Sequence, residues 1–192
     1  MPVELPADLS RIQQKLDRLR TRDPKCGLFG ALSHQYRLGK LLSEADVISF
    51  ERQLGVSLPA EYRQFLTQVG HGGAGPYYGL FALDDPDPEN ITAIERLAEP
   101  FPWTEAFQGE ALDDDEFLEM DLPGALYLCH YGCALRFFLV VAGPCRGEVW
   151  QDFRTDGRGL FPAKAADGRR TRFLEWYEPW LDQSLAEIES QS

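Results

Sequence analysis

Leu9, Ile12, Leu16 and Leu19 recur at helical spacing, which predicts an amphipathic N-terminal helix ending near Asp23-Pro24, where proline disfavours continuation. From Lys25 to Leu42 the periodicity is lost, Gly27, Gly30 and Gly39 intervene, and the segment reads as a loop wrapping the domain. Ser43 is a good N-cap for a helix from Glu44 to about Leu54, with Glu44 and Asp46 in the first turn, where the dipole favours negative charge. Gly55 ends it. Pro59 suits the first position of a second helix whose Tyr62, Phe65, Leu66 and Val69 share one face, and Gly70 is its natural left-handed cap. A glycine-rich turn then leads into a strand expected at Tyr77 to Leu83.

The second half changes period. Asp84-Asp85-Pro86-Asp87-Pro88 breaks the pattern, a helix is expected from Glu89 to Glu99, and Phe101, Trp103 and Phe107 imply that the following connection packs. Beyond the acidic run Asp113 to Glu116, Pro123-Gly124 opens a meander: strands at Ala125–Cys129, Ala134–Val141, Gly147–Phe153 and near Leu160. The turns fall at Tyr131-Gly132, Gly143-Pro144 and Asp156-Gly157, and such short connections require antiparallel pairing. A last helix, Thr171 to Glu189, carries Phe173, Leu174, Tyr177, Leu181 and Leu185 at helical intervals, with Pro179 expected to kink or restart it.

A chain of 192 residues, 44% hydrophobic and 12% aromatic, can bury one core and is not composed like a disordered protein. Its net charge of −12 repels nucleic-acid phosphates and anionic membrane surfaces and matches a basic protein partner. The N-terminus has no basic region followed by an apolar run and no apolar stretch reaches membrane-spanning length, so the expected address is the cytoplasm. There, Cys26, Cys129, Cys133 and Cys145 are expected to be reduced and mostly buried.

Leu54-Gly55, Leu58-Pro59, Tyr62, Phe65-Leu66, Gly70 and Gly72-Gly73 before a strand resemble the SUKH superfamily, whose founder is a fungal cell-wall assembly regulator and whose bacterial members are mostly toxin-immunity proteins. The resemblance continues through Gly124–Leu128, Gly132, Phe138–Val141, Gly147-Glu148-Val149-Trp150, Pro162 and Phe173, Trp176 and Trp180-Leu181. It covers Ser43 to Leu185; residues 1–42 form an N-terminal helix and wrapping loop within the same domain, and the acidic insertion from Asp84 to Asp121 is less typical. It implies an α+β fold with N-terminal helices packed on a mostly antiparallel sheet closed by a C-terminal helix, the order read above.

The constellations that could carry chemistry are weak. Gly70-His71-Gly72-Gly73-Ala74-Gly75 spells G-x-G-x-x-G, but it follows a helix and precedes a strand, the reverse of the order that aims a helix N-terminus at a phosphate. It reads as a helix stop and tight turn, with His71 a turn histidine; no G-x-S-x-G elbow accompanies it. Cys129-His130-Tyr131-Gly132-Cys133, with Cys145 beyond, lacks the second close pair of a zinc site. Asp113 to Glu116 has neither the ligand spacing nor the mid-loop glycine of a calcium loop and reads as a solvated loop face. Arg169-Arg170-x-Arg172 reads as a solubility patch, and Trp150, Phe153, Phe173, Trp176, Tyr177 and Trp180 as core.

No catalytic residue, cofactor or metal is therefore expected. The reading is a non-enzymatic module, an immunity protein that binds and neutralises a cognate toxin, with a toxin-independent regulatory scaffold as the alternative. A small hydrolase using carboxylates or Cys129, His130 and Cys133 stands behind both. The expected partner surface is the two acidic stretches, Asp84, Asp85, Asp87 and Glu89 together with Asp113, Asp114, Asp115 and Glu116.

Overall fold

The computed structural model describes residues 6–85, 94–109 and 112–191, Asp114 by its backbone only. Helix α1 spans Ala7–Arg22 and buries Leu9, Ile12, Leu16 and Leu19, the stripe expected from the spacing. The wrapping segment contains one short helix, α2 (Ala31–His34), between left-handed residues at either end. Helix α3 (Glu44–Leu54) starts at a capping box in which the Ser43 hydroxyl accepts from Asp46 N–H at 3.1 Å while Asp46 accepts from Ser43 N–H at 3.0 Å, and Gly55 closes it at φ 67°.

Helix α4 (Ala60–Gln68) buries Tyr62, Phe65 and Leu66. Two details of its ends differ from expectation. Pro59 is the N-cap rather than the first helical residue, and the C-cap is right-handed Val69. Gly70 is small for another reason: a Cβ there would stand 2.5 Å from that of Leu38. The glycine string is a crossing of three chain segments, with Gly73 and Leu80 exchanging hydrogen bonds at 2.9 and 2.7 Å and Ala74 N–H donating to Arg37 at 2.8 Å.

No strand forms over Tyr77–Leu83. Tyr77 at φ 57° and Gly79 at φ 97° turn the chain, and only Leu80 forms bridges, to Gly73 and to Cys129. Phe81 N–H donates to Leu128 at 2.8 Å, so this irregular segment still covers the outer edge of the sheet. Of the helix expected at Glu89 to Glu99, residues 86–93 lie outside the described residues; 94 and 95 are helical and 96–98 turn. The acidic run is no loop: helix α5 (Asp114–Glu119) follows a capping box between Asp113 and Glu116.

Strands β1 (Ala125–Gly132), β2 (Leu135–Val140), β3 (Val149–Phe153) and β4 (Gly159–Pro162) pair antiparallel in sequence order, with a 3-10 turn at Arg154–Asp156 before β4. The first turn is Cys133-Ala134, at φ 49° and 60°, because β1 runs on through Gly132 to pair with Leu135. Helix α6 (Phe173–Ser190) is one continuous helix with Pro179 inside it, not two pieces.

Both faces of the sheet are covered at β2, which is why all six of its residues are buried. Leu135, Phe137 and Leu139 face the helices and join one core with the α1 stripe, Phe65, Tyr177 and Leu181. Phe138, Val140, Trp150 and Leu160 form a second core under Phe101, Trp103 and Phe107, so the connection with those aromatics packs as its composition implied. The molecule is α+β, with helices on one face of an antiparallel sheet and an irregular layer on the other. Among the described residues, no helix is long and apolar enough to cross a membrane.

Candidate interaction surface

The acidic stretches sit on different layers. Leu83, before Asp84, belongs to the helix-side core, whereas Phe117 of α5 packs on Phe107 over the opposite face. Asp84 is exposed and lies 3.8 Å from His71, whose Nε2 accepts from Leu83 N–H at 2.7 Å. Partial burial holds the His71 pKa down, against an upward pull from Asp84. Asp85 is half-buried, and Asp87 and Glu89 lie outside the described residues.

Asp113 and Glu116 are both exposed and spend their carboxylates on the α5 capping box, with Asp113 accepting from Glu116 N–H at 2.8 Å; Asp115 projects freely beside them. The far end of α5 is pinned by a buried arginine. Arg154 Nη1 donates to the carbonyls of Phe117 at 3.0 Å and Met120 at 2.6 Å. Its Nε and Nη2 each reach Asp152 at 2.8 Å, and the Tyr127 hydroxyl donates to the same carboxylate at 3.1 Å. The exposed acids of α5 are thus carried on a rigid strut rather than a solvated loop.

A second surface emerges where the helical layer ends. The helices leave the β3 and β4 side of the sheet uncovered, opening a cleft of about 570 Å³ between α6, the sheet and the loops at Leu28-Phe29 and Pro76-Tyr77. Its floor is aromatic. Tyr77 stacks on Phe137 with centroids 5.5 Å apart and 12° between planes, Tyr131 meets Tyr77 at 4.3 Å and Phe153 at 5.3 Å, and Trp176 meets Phe137 at 5.4 Å. Burial pushes the Tyr77 phenol up to about 12. Trp176 and Trp180, read from sequence as core, are only half-buried and line this cleft, whereas Trp150, Phe173 and Tyr177 are core.

Of the six non-glycine residues with positive φ among the described residues, Tyr77, at φ 57°, lines the cleft; Cys26, Gln35, Tyr36, Cys133 and Ala134 lie elsewhere in the connecting loops. Gly30 shows how closely two of these loops meet: a Cβ there would fall 1.6 Å from the Tyr77 carbonyl oxygen. Phe29, at 66% exposure, sits edge-on to Tyr78 at 5.3 Å, and with Leu32 and Tyr131 continues the apolar surface outward. Period alone could not have found this site, since a half-buried tryptophan beside an apolar stripe looks like a core residue.

The four cysteines sit in different surroundings. Cys129 is in the helix-side core, Cys145 in the opposite one, Cys133 is exposed at the hairpin tip and Cys26 is half-buried; all four are free. Burial pushes the Cys129 thiol well above its usual range. Among the described residues, no group of three or more His, Cys, Asp and Glu is placed to hold a metal ion. The basic run is engaged: Arg169 pairs with Asp167 at 2.7 Å and Glu175 at 3.2 Å, and Arg170 with Glu105 at 2.7 Å and Glu148 at 3.3 Å.

No curated protein and no solved structure is significantly similar to the chain. A family profile does match, over residues 41–163, which takes in α3, α4, the glycine crossing and the whole sheet. The chain belongs to the SMI1 / KNR4 family (SUKH-1).

Proposed function

We propose that this protein is a non-enzymatic binding module that acts as an immunity protein: it seats on a cognate toxin domain and blocks it stoichiometrically. The observation that carries the reading is an aromatic-lined cleft on a SUKH scaffold, with Tyr77 held at positive φ on its rim, a concave apolar surface suited to holding part of another molecule. The net charge of −12 and the exposed acids Asp84, Asp113, Asp115 and Glu116 support a basic partner, whose approach they would accelerate.

The test is co-expression with toxin domains encoded beside the gene. Restored growth together with a purified complex of fixed stoichiometry supports the reading. A stable host complex with a housekeeping protein and no rescue from any neighbouring toxin would assign the chain to the alternative, a regulatory scaffold. Turnover of ester, phosphate or glycoside substrates that disappears on Cys133→Ala would overturn both.

A further inference from the structure

We infer that the aromatic cleft takes an extended segment of the partner protein that inserts an aromatic side chain and sets a carboxylate beside it; this rests on the protein-binding reading above. The shape points to a segment rather than a compact ligand. Gln151 and Lys164 line the cleft and also a neighbouring hollow of about 370 Å³ formed with Glu105, Ala106, Phe161 and Arg170, so the two make one elongated track along β3 and β4. An extended chain advances about 3.3 Å per residue, and two adjacent hollows suit alternate side chains of one strand. The β4 edge does not recruit it as a fifth strand, because Leu160 already exchanges both backbone hydrogen bonds with Phe107, at 2.9 and 2.8 Å, and Pro162 has no N–H to offer.

The larger hollow selects the aromatic group, since Tyr131, Phe137, Phe153 and Trp176 present ring edges and faces at 5–6 Å spacings that a further ring can join. The charges select the carboxylate. Of the acids on the track, Glu105 holds Arg170 at 2.7 Å, while Glu187, at the α6 side, accepts from the neutral Gln191 amide at 3.3 Å and keeps its charge. Arg158 is tied to Asp156 at 2.7 Å and lies 4.5 Å over the Phe153 ring. Lys164 is exposed, stands where the two hollows meet and has no ion pair among the described residues. A cation without an ion pair among the described residues is complementary to an incoming carboxylate, so the point where the two hollows meet favours an acid although the chain's net charge is −12.

The full chain, labelled with nitrogen-15, would be titrated with three blocked tripeptides, Asp-Trp-Asp, Lys-Trp-Lys and Asp-Ala-Asp, and followed by NMR. Saturable shifts in the Trp176 and Trp180 indole N–H and the Tyr131 and Lys164 amides, for Asp-Trp-Asp and far less for the others, are expected, with millimolar affinity for so small a probe. Lys164→Glu should weaken Asp-Trp-Asp about threefold and remove its advantage over Lys-Trp-Lys, and Tyr131→Ala should weaken both. Preference for Lys-Trp-Lys, shifts confined to other surfaces or no saturation would overturn the inference. Shifts of the same resonances on raising protein concentration alone would also overturn it, by making a second copy the occupant. The outcome is separable from the immunity reading. Peptide binding in a chain that rescues no toxin keeps the cleft and removes the toxin, whereas rescue undiminished by both variants keeps the toxin and removes the cleft.

Discussion

His34 shows how one buried side chain couples this protein to pH. It is 7% exposed, edge-on to Trp180 at 5.7 Å and to Tyr36 at 5.5 Å, with Nδ1 accepting from Tyr36 N–H at 3.0 Å and Nε2 buried with no partner in hydrogen-bonding geometry among the described residues. Burial holds its pKa down to about 4, against a smaller opposing pull from the Gly75 backbone. The folded state therefore prefers neutral imidazole. The unfolded chain binds a proton near its ordinary value of about 6.5, so the contribution to stability is complete above that pH and is lost as pH falls through the window down to about 4. At about 1.4 kcal/mol per unit, up to about 3 kcal/mol is involved. His34→Gln keeps an acceptor and removes the titration. Chemical denaturation at a series of pH values should show the wild-type advantage over this variant shrinking between about pH 7 and pH 4 and constant above. A difference that does not change with pH would show that His34 is not held neutral. Trp180, which packs edge-on to His34, also lines the cleft.

At the scale of elements, the acidic helix α5 depends on a residue far from it in sequence. Its last carbonyls are satisfied by Arg154, whose charge is balanced by Asp152, both about 93% buried. Arg154→Met leaves the Asp152 carboxylate buried and unpaired and frees the end of α5, at a cost of about 3–5 kcal/mol. Adding Asp152→Asn should recover much of that loss, because the penalty lies in the orphaned charge. Thermal melts of the single and double variants decide it; a single variant within about 0.5 kcal/mol of wild type would mean that the pair holds nothing in place. This strut was invisible in the sequence, where Asp113 to Glu116 reads as a solvated run. What was legible were elements with a strong period or cap: α1 from its leucine stripe, α3 from Ser43 and Gly55, the meander from its turns. The strand at Tyr77–Leu83 was misread because an apolar run after a glycine-rich turn says nothing of the positive φ at Tyr77, and the cleft was missed because no local pattern reports which part of a sheet its helices fail to cover.

At the scale of the molecule, the matched family segment holds only part of the helix-side core. Residues 41–163 contain the sheet and, among the described residues, helices α3, α4 and α5, but the helix-side core is completed by α1 before them and α6 after them. Leu9, Ile12, Leu16 and Leu19 of α1 are each at most 1% exposed, and α1 is clamped to α6 by Lys15, which reaches Glu178 at 2.7 Å and Asp182 at 2.5 Å. Arg11 joins Glu178 as well, and these two cations pull its carboxyl down to about 2. Four buried aliphatic side chains are worth about 6–12 kcal/mol by area, comparable to the whole stability of an ordinary domain. A chain beginning at Pro24 should therefore lose fixed packing around Leu181 and Leu185, while the short-range strand pairings persist. The expected signature is retained far-UV circular dichroism with collapsed near-UV signal, dye binding and poor NMR dispersion. Lys15→Met, which removes the clamp but keeps the stripe and leaves Glu178 paired with Arg11, should cost far less than losing the stripe, on the order of 1 kcal/mol. If the shortened chain melts cooperatively near the wild-type temperature, α1 is an attachment and the helix-side core is sufficient without it.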